Sequence, residues 1–326
     1  MIRASALLAA ALVLASTLVL TSPPGHAQTY PSKQITLIIP FAPGGSNDIV
    51  GRAIGKKLSD AWGQPVVVEN RGGGGTIIGT AAVATAAPDG YTLLLVSPTF
   101  TINAAIRKSM PFDTVKDFTP VAFIARAPLL VTTSKKLPVQ SARELFALAK
   151  SKPGQITYAS AGLGSINQIS TELIAFTAGV KLMHVPYKGG GPALNDLVGG
   201  HVDIYVSSIP QALQLVRGGQ IKTLAVTSTK RTALLPDVPT LAESGESGAD
   251  LGTWWGIVGP AGMPANVVNA LNAEIGKMLA SPELGTFLTN EGAESETMTP
   301  QQFGDMMRLE TARWTKVAHE ANISID

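Results

Sequence analysis

The sequence predicts an α/β protein of two lobes, each built on a parallel-dominated mixed sheet. Two matching segments about 120 residues apart carry most of that prediction. Ile35 to Val50 and Ile156 to Ile169 each run from an apolar strand through a small-residue loop into a helix. A βαβαβ alternation surrounds each segment, and such an order implies parallel strands with both faces covered. The 326 residues suffice for two domains of ordinary size.

The N-terminus reads as a secretory signal peptide, residues 1–27. Arg3 supplies the positive start, Ala4 to Leu20 a continuous apolar stretch, and Gly25-His26-Ala27 the small residues at a cleavage site before Gln28. That apolar run is at the short limit for a membrane span. The expected location is therefore the periplasm. With no cysteine, the chain has neither a lipid anchor on an N-terminal cysteine nor disulfides nor thiolate metal sites. The formal charge of +2 falls to about +1 once Arg3 is removed, which points to no nucleic acid and no polybasic membrane surface.

The β-branched run Ile35 to Pro40 is the first strand. After Gly45 a helix is expected, with Ser46 as its N-cap and Ile49, Val50, Ala53, Ile54 and Leu58 on one face. Val66 to Glu69 is a strand, Gly72 to Gly75 a turn, Thr76 to Ala86 a helix of small residues and Tyr91 to Val96 a third strand. The second set comprises strands Ile156–Ala159, Met183–Val185, Val202–Val206 and Thr223–Thr227, with a helix from Ala193. Pro264 to Ala280 and Pro300 to Ala321 read as helices. Ala125 to Thr133 and Leu234 to Val258 are the expected passages between lobes. Lobe 1 is then 28–127 plus 237–326, and lobe 2 is 128–236.

Ligands in open α/β sheets sit at the carboxyl ends of strands. The loops there are Ala42–Asp48, Ser97–Thr101, Ser160–Asn167 and Pro186–Gly191, with Ser207 and Ser208 beside them. They offer backbone N–H groups and hydroxyls at helix N-termini, where an anion is favoured. One Gly-Gly alone makes only a tight turn; several such loops at matching strand ends point to a small acidic solute held between the lobes. Asp48 either orders its loop, binds water or an ammonium group, or stabilises its own helix. Lys188 is the one basic residue in these loops, either solvated or paired with a carboxylate.

Enzyme templates fail in turn, and no catalytic residue, metal ligand or cofactor is expected. His184, His201 and His319 lack metal-ligand spacing. No G-x-S-x-G elbow exists. Gly51–Lys57 imitates a P-loop one residue short and inside a helix. Trp254 and Trp255 lie on an interlobe strand, where core packing is expected.

Long collinear motifs then identify a family. "YPSKQITLIIPFAPGGSNDIVGR", "PVVVENRGGGGTIIGTAAVATAAPDGYTLL", "PFDTVKDFTPVA", "HVPYKGGGPALNDLVGGHVDI" and "WWGIVGPAGMP" resemble the substrate-binding proteins of tripartite tricarboxylate transporters, the Bug family. The resemblance spans essentially the whole chain after the signal. It implies a type II periplasmic "Venus flytrap" that captures a small carboxylate, such as a di- or tricarboxylate or an aromatic acid. It implies delivery to a membrane permease of one large and one small subunit, or presentation to a sensor-kinase ectodomain, by a monomer. Carried over by motif, Pro43, Gly44, Gly45, Ser46 and Asp48 form the first-lobe cradle, with Ser97 and Thr99 at the neighbouring strand end. Ala161, Gly162, Gly164, Ser165, Tyr187 and Gly189 form the second-lobe side. Asn47 and Asn167-Gln168 depart from many relatives and flank the pocket. A hydrolase or transferase acting on an acid, and a sensory receptor without transport, are the alternatives.

Overall fold

The computed structural model describes residues 30–246 and 251–320; the expected signal segment lies outside them. Residues 30–32 carry no helix or strand, and the folded body begins at Lys33. The run ITLII forms β1 (Ile35–Ile39), buried as its lack of alternation predicts. Helix α1 (Ser46–Trp62) follows and packs very close to the sheet. Gly51 and Gly55, one turn apart, make this possible: a Cβ on them would lie 2.6 Å from Ile39 Cδ1 and 2.9 Å from Val68 Cγ2. The helix ends on Gly63 at φ +63°, whose N–H reaches the Ser59 carbonyl. Its N-cap is Gly45, not Ser46 as the sequence suggests, and no side chain caps it. The Ser46 N–H is instead met by Gln211 Oε1 from the far side of the cleft.

β2 (Val66–Asn70), α2 (Ile77–Ala84), β3 (Thr92–Val96) and α3 (Pro98–Ile106) complete the first βαβαβ unit. α2 is shorter than expected at both ends: Gly74–Thr76 forms a separate 3₁₀ turn before it, and Thr85 is its C-cap. β4 (Phe118–Ser134) then leads through α4 (Ala142–Ser151) into a second unit. That unit comprises β5 (Thr157–Ser160), α5 (Ile166–Ala178), β6 (Met183–Pro186), α6 (Gly190–Gly199), β7 (Ile204–Ser208), α7 (Ile209–Arg217) and β8 (Ile221–Val226). α6 starts at Gly190 rather than Ala193, since Pro192 sits comfortably in a first turn, where no N–H is required. β9 (Gly252–Pro260), α8 (Ala265–Leu279), α9 (Pro282–Asn290), β10 (Glu294–Ser295) and α10 (Pro300–Glu320) close the fold.

The strand order is β2-β1-β3-β9-β4-β7-β5-β6, with β8 and β10 also pairing β4. β2-β1-β3 and β6-β5-β7 are two parallel trios of the same order, the structural repeat that the sequence implies. β4 and β9 lie between the trios and run antiparallel to their neighbours. β4 pairs β9 up to Pro128↔Gly252, then pairs β7 from Leu129↔Ser208 onward.

One core gathers Ile38, Leu94, Phe118, Phe123, Trp254 and Phe303 in the first half. A second gathers Leu129, Val131, Tyr158, Ile169 and Val206. Two features bear on how the C-terminal part of the chain packs. Leu241 and Leu251 pack into the second core, which also takes in Ile102 and Ile106 of α3. Helix α10 serves both cores, with Phe303 and Met307 in the first and Trp314 and Ala318 in the second. Each such side chain, shut away from water, contributes about 1.5–3 kcal/mol. Trp254 and Trp255 are buried in the core, as expected of that strand.

Candidate functional site

The strand-end loops of the two halves meet face to face. Hydrogen bonds cross between them: Ala42 N–H donates to the Lys188 carbonyl at 2.9 Å, and Ile166 N–H to Thr99 Oγ1 at 3.3 Å. Arg107 Nη2 donates to the Leu163 carbonyl at 3.2 Å. The approach is so tight that glycine is required on both sides. A Cβ on Gly191 would lie 2.2 Å from the Pro43 carbonyl oxygen, and one on Gly75, from the other half, would lie 2.1 Å from the Leu163 carbonyl oxygen.

Between the halves lies an inner cavity of about 20 Å³, room for a water or two. Gly45, Ser46 and Asn47 open one wall, Thr99 another, and Ala161, Ile166 and Asn167 a third. Gly190, Tyr205, Ser208 and Gln211 close it, with Phe41, Leu129 and Thr253 as apolar and hydroxyl lining. No charged side chain lines it. Its polar groups are held in a chain: Gln211 Oε1 accepts from Ser46 N–H, Gln211 Nε2 donates to Tyr205 Oη at 3.0 Å, and Asn167 Nδ2 donates to the Val206 carbonyl at 2.8 Å. Complete burial pushes the Tyr205 phenol up, against the hydrogen bond from Gln211, so it stays neutral. Two buried polar atoms here, Asn47 Oδ1 and Ser208 Oγ, have no partner. Unmet buried groups of this kind mark where a solute's own polar atoms belong.

Of the residues named from sequence, Gly45, Ser46, Thr99 and Ala161 line the inner cavity. The others surround it in different roles. Asp48 points into its own loop, accepting from Gly44 N–H at 3.1 Å, Asn70 Nδ2 at 2.9 Å and Arg52 Nε at 2.9 Å. Burial would raise its carboxyl pKa, but these three partners outweigh that and hold it below the usual carboxylate range. Of the three readings of Asp48, the loop-ordering one describes this geometry. Ser165 caps α5 by accepting from Gln168 N–H, and Gly164 N–H donates to Gln168 Oε1. Ser97 is the buried N-cap residue of α3. Ser207 Oγ is buried without a partner one residue before the lining Ser208. Pro43, Gly44 and Gly189 form the contact between the halves. Gly162, Tyr187 and the exposed Lys188 line a separate outer cleft of about 600 Å³, which shares Ala161 as a wall with the inner cavity.

Tyr205 and Gln211 are absent from the sequence reading. Tyr205 sits inside an apolar strand, and Gln211 lies one turn beyond the strand-end serines; only the start of a helix at Ile209 hints that it faces the loops.

Ser160 Oγ and His184 Nε2 lie 2.7 Å apart, a nucleophile–base pairing that sequence spacing does not reveal. Ser160 is nevertheless fully buried, and its hydroxyl is shared with the Gly162 N–H and carbonyl. Burial lowers the His184 pKa to about 4, and the ring stacks on Tyr158 at 4.8 Å. The pair braces the loop rather than facing a substrate. Among the described residues no cluster of metal-ligating side chains occurs, and no helix is long and apolar enough to cross a membrane.

Residues 50–323 match the family model described as the tripartite tricarboxylate transporter family receptor. Protein BugT of Bordetella pertussis is 36% identical over 304 residues, covering 93% of each chain. Among solved structures, R. palustris Rpa4515 with adipate superposes with a TM-score of 0.88 at 37% identity, covering 90% of this chain and 99% of that one. MatC from Rhodopseudomonas palustris with bound malate gives 0.85 at 33% identity, covering 88% and 99%. The two-lobed fold, the neutral cleft at matching strand ends and these likenesses agree: the chain belongs to the tripartite tricarboxylate transporter receptor family of Bug-type solute-binding proteins.

Proposed function

We propose that this protein is exported to the periplasm, captures a small carboxylate between its lobes with polar groups of the inner cavity at its acid end, and hands it to the two-subunit permease of a tripartite transporter. The observation that carries this reading is a shut, uncharged cavity in which Asn47 and Ser208 hold polar atoms without partners. The Asn47 amide can turn to donate through Nδ2. Burying an anion costs several kcal/mol unless hydrogen bonds replace its hydration. Charge-assisted bonds contribute about 1.5–3 kcal/mol each, so three or four offset that cost. Gly45, Ser46, Thr99 and Ala161 then contact the acid directly, while Asp48, Ser165 and Gly164 hold the loops that present it. Lobe 1 comprises the first sheet half, and lobe 2 the second. Closure follows from a ligand that binds both lobes better than either alone. The protein acts as a monomer, and the shut form is the one the permease recognises; a sensor-kinase ectodomain would read the same surface. The signal is cleaved after Ala27.

The test is a thermal shift of the chain from Gln28 onward against mono-, di- and tricarboxylic and aromatic acids. A ligand selective for the native state raises the melting temperature by mass action. Recovery of the acid unchanged after long incubation separates a receptor from a hydrolase or transferase.

A further inference from the structure

Two helices carry the chain across the border between the cores. On α3, Phe100 packs in the first core, while Ile102 and Ile106 pack in the second. On α10, Met307 belongs to the first and Trp314 to the second. The two helices lie against each other. Thr101 stands where α3 changes core, and Glu310 where α10 does. Their side chains meet at that border. Glu310 Oε2 accepts from the buried Thr101 Oγ1 at 3.4 Å and from Trp254 Nε1, on β9, at 2.8 Å. The Thr101 hydroxyl proton is shared, its nearer acceptor being the Pro98 carbonyl at 2.9 Å.

Both donors stand next to the inner cavity. Trp254 follows Thr253, and Thr101 lies two residues after Thr99; Thr253 and Thr99 both line the cavity, whereas Glu310 does not. α3 also carries a contact between the halves at each end. Thr99 Oγ1 accepts from Ile166 N–H, and Arg107 Nη2 donates to the Leu163 carbonyl. A small shift of α3 along α10 therefore moves the cavity wall and both contacts together. Burial of an indole does not by itself call for an acid in this fold. Trp255 and Trp314 are buried too, and their Nε1 atoms have no partner. What sets Trp254 apart is its place beside the cavity. One carboxylate oxygen can accept two hydrogen bonds, and a charged acceptor holds them more firmly than an amide does.

We propose that Glu310 is a positioning residue of the solute site: from outside the cleft it sets α3 and β9 against α10, and through them it holds Thr99 and Thr253 at the cavity wall. This rests on the function proposed above and deepens it. The affinity for the acid is then set in part by a side chain that never touches it. The effect passes mainly through Thr99, because Thr99 both lines the cavity and receives the Ile166 N–H from the other half.

The experiment is a double-mutant cycle read by titration calorimetry, on the wild type, Glu310→Met, Thr99→Ala and the double variant. The probe is whichever of hexanoate, adipate, citrate and benzoate binds the wild type best. Methionine keeps the bulk of the side chain and removes the acceptor. Glu310→Met should weaken binding about tenfold in the wild type and by no more than about threefold in Thr99→Ala, because residues that act through one another are not additive. A purely structural role lowers the melting temperature and leaves the affinity of the folded protein alone. Unchanged affinity in Glu310→Met, or an equal loss in both backgrounds, overturns the proposal. Should Glu310→Met not fold, Glu310→Gln, which keeps a neutral acceptor, takes its place. A loss of about threefold that vanishes in Thr99→Ala is then expected, and no loss overturns it. A second measurement needs no ligand. The exchange rate of the Ile166 amide, relative to the Met183 amide bonded to the Ile156 carbonyl, should rise at least threefold in the Glu310 variant. Should none of the four acids bind the wild type, the proposed function fails for those acids, and this ratio alone decides the role of Glu310. An equal ratio in wild type and variant overturns it.

Discussion

Gly191→Ala isolates closure from ligand contact, because Gly191 lines neither the inner cavity nor the outer cleft. Within α6 the change is benign: its backbone is not in the left-handed region, and alanine is favoured over glycine in a helix by up to about 1 kcal/mol. Across the cleft it is not benign. The new methyl would lie 2.2 Å from the Pro43 carbonyl oxygen and 3.2 Å from Gly44 Cα, so the halves must part by about 1 Å to relieve it. Overpacking of this kind costs about 1–3 kcal/mol. The cost falls on the shut state alone, so it appears as a loss of ligand affinity of about 5–150-fold. The assay pairs calorimetry on the best acid from the thermal-shift panel with small-angle scattering of the liganded protein. The expected result is weakened binding, a larger liganded radius of gyration and an unligated melting temperature equal to or above wild type. Wild-type affinity with a wild-type liganded radius would refute the glycine-to-carbonyl closure.

Ser208→Ala removes a buried hydroxyl that has no partner, so the unligated melting temperature should stay within the equivalent of about 0.5 kcal/mol. Acid binding should weaken by about 0.5–1.5 kcal/mol, read by calorimetry. Asp48→Ala should cost about 1–3 kcal/mol in urea unfolding, because three donors lose their acceptor. The Asp48 carboxyl is held below its unfolded pKa, so this difference should be full above pH about 4 and shrink as pH falls through the folded value. The His184 pKa is depressed to about 4, so its imidazole nitrogens should report the neutral ring at pH 5.5 by NMR. Its contribution to stability should be complete above pH about 6.5 and decline towards pH 4, and His184→Gln should flatten that part of the melting curve.

Much of the frame is legible in the sequence because its signals are local. β1 is β-branched at every position but Leu37, β3 is apolar after Thr92, and both trios are parallel, as the βαβαβ alternation implies. Legibility fails where a distant group sets the outcome. Ser46 looks like a cap by type, yet Gln211, 165 residues on, meets its N–H. Ser160 and His184 lie 24 residues apart on neighbouring strands, and only the parallel register brings them together. The glycine run after β2 resists assignment by motif, because its purpose depends on Arg107 and Leu163, which reach it from a later helix and from the other half. Leu241 and Leu251 have no local feature that says which core receives them.

The change of partner along β4 has a mechanical consequence. At Pro128 the strand leaves β9 and at Leu129 it takes up β7, and Pro128 has no N–H to leave stranded. Thr227 Oγ1 staples the same point, accepting from Leu129 N–H and donating to the carbonyls of Leu129 and Leu251. A rotation about this seam therefore breaks no ladder bond on either side of it. The spine is thus shaped as an axle, with the Thr227 hydrogen bonds holding its pivot. The work of opening then resides in the hydrogen bonds and glycine contacts between loops, and in the packing of α10, which serves both cores. Sequence changes in those loops can shift the balance between open and shut without disturbing the axle on which both states turn.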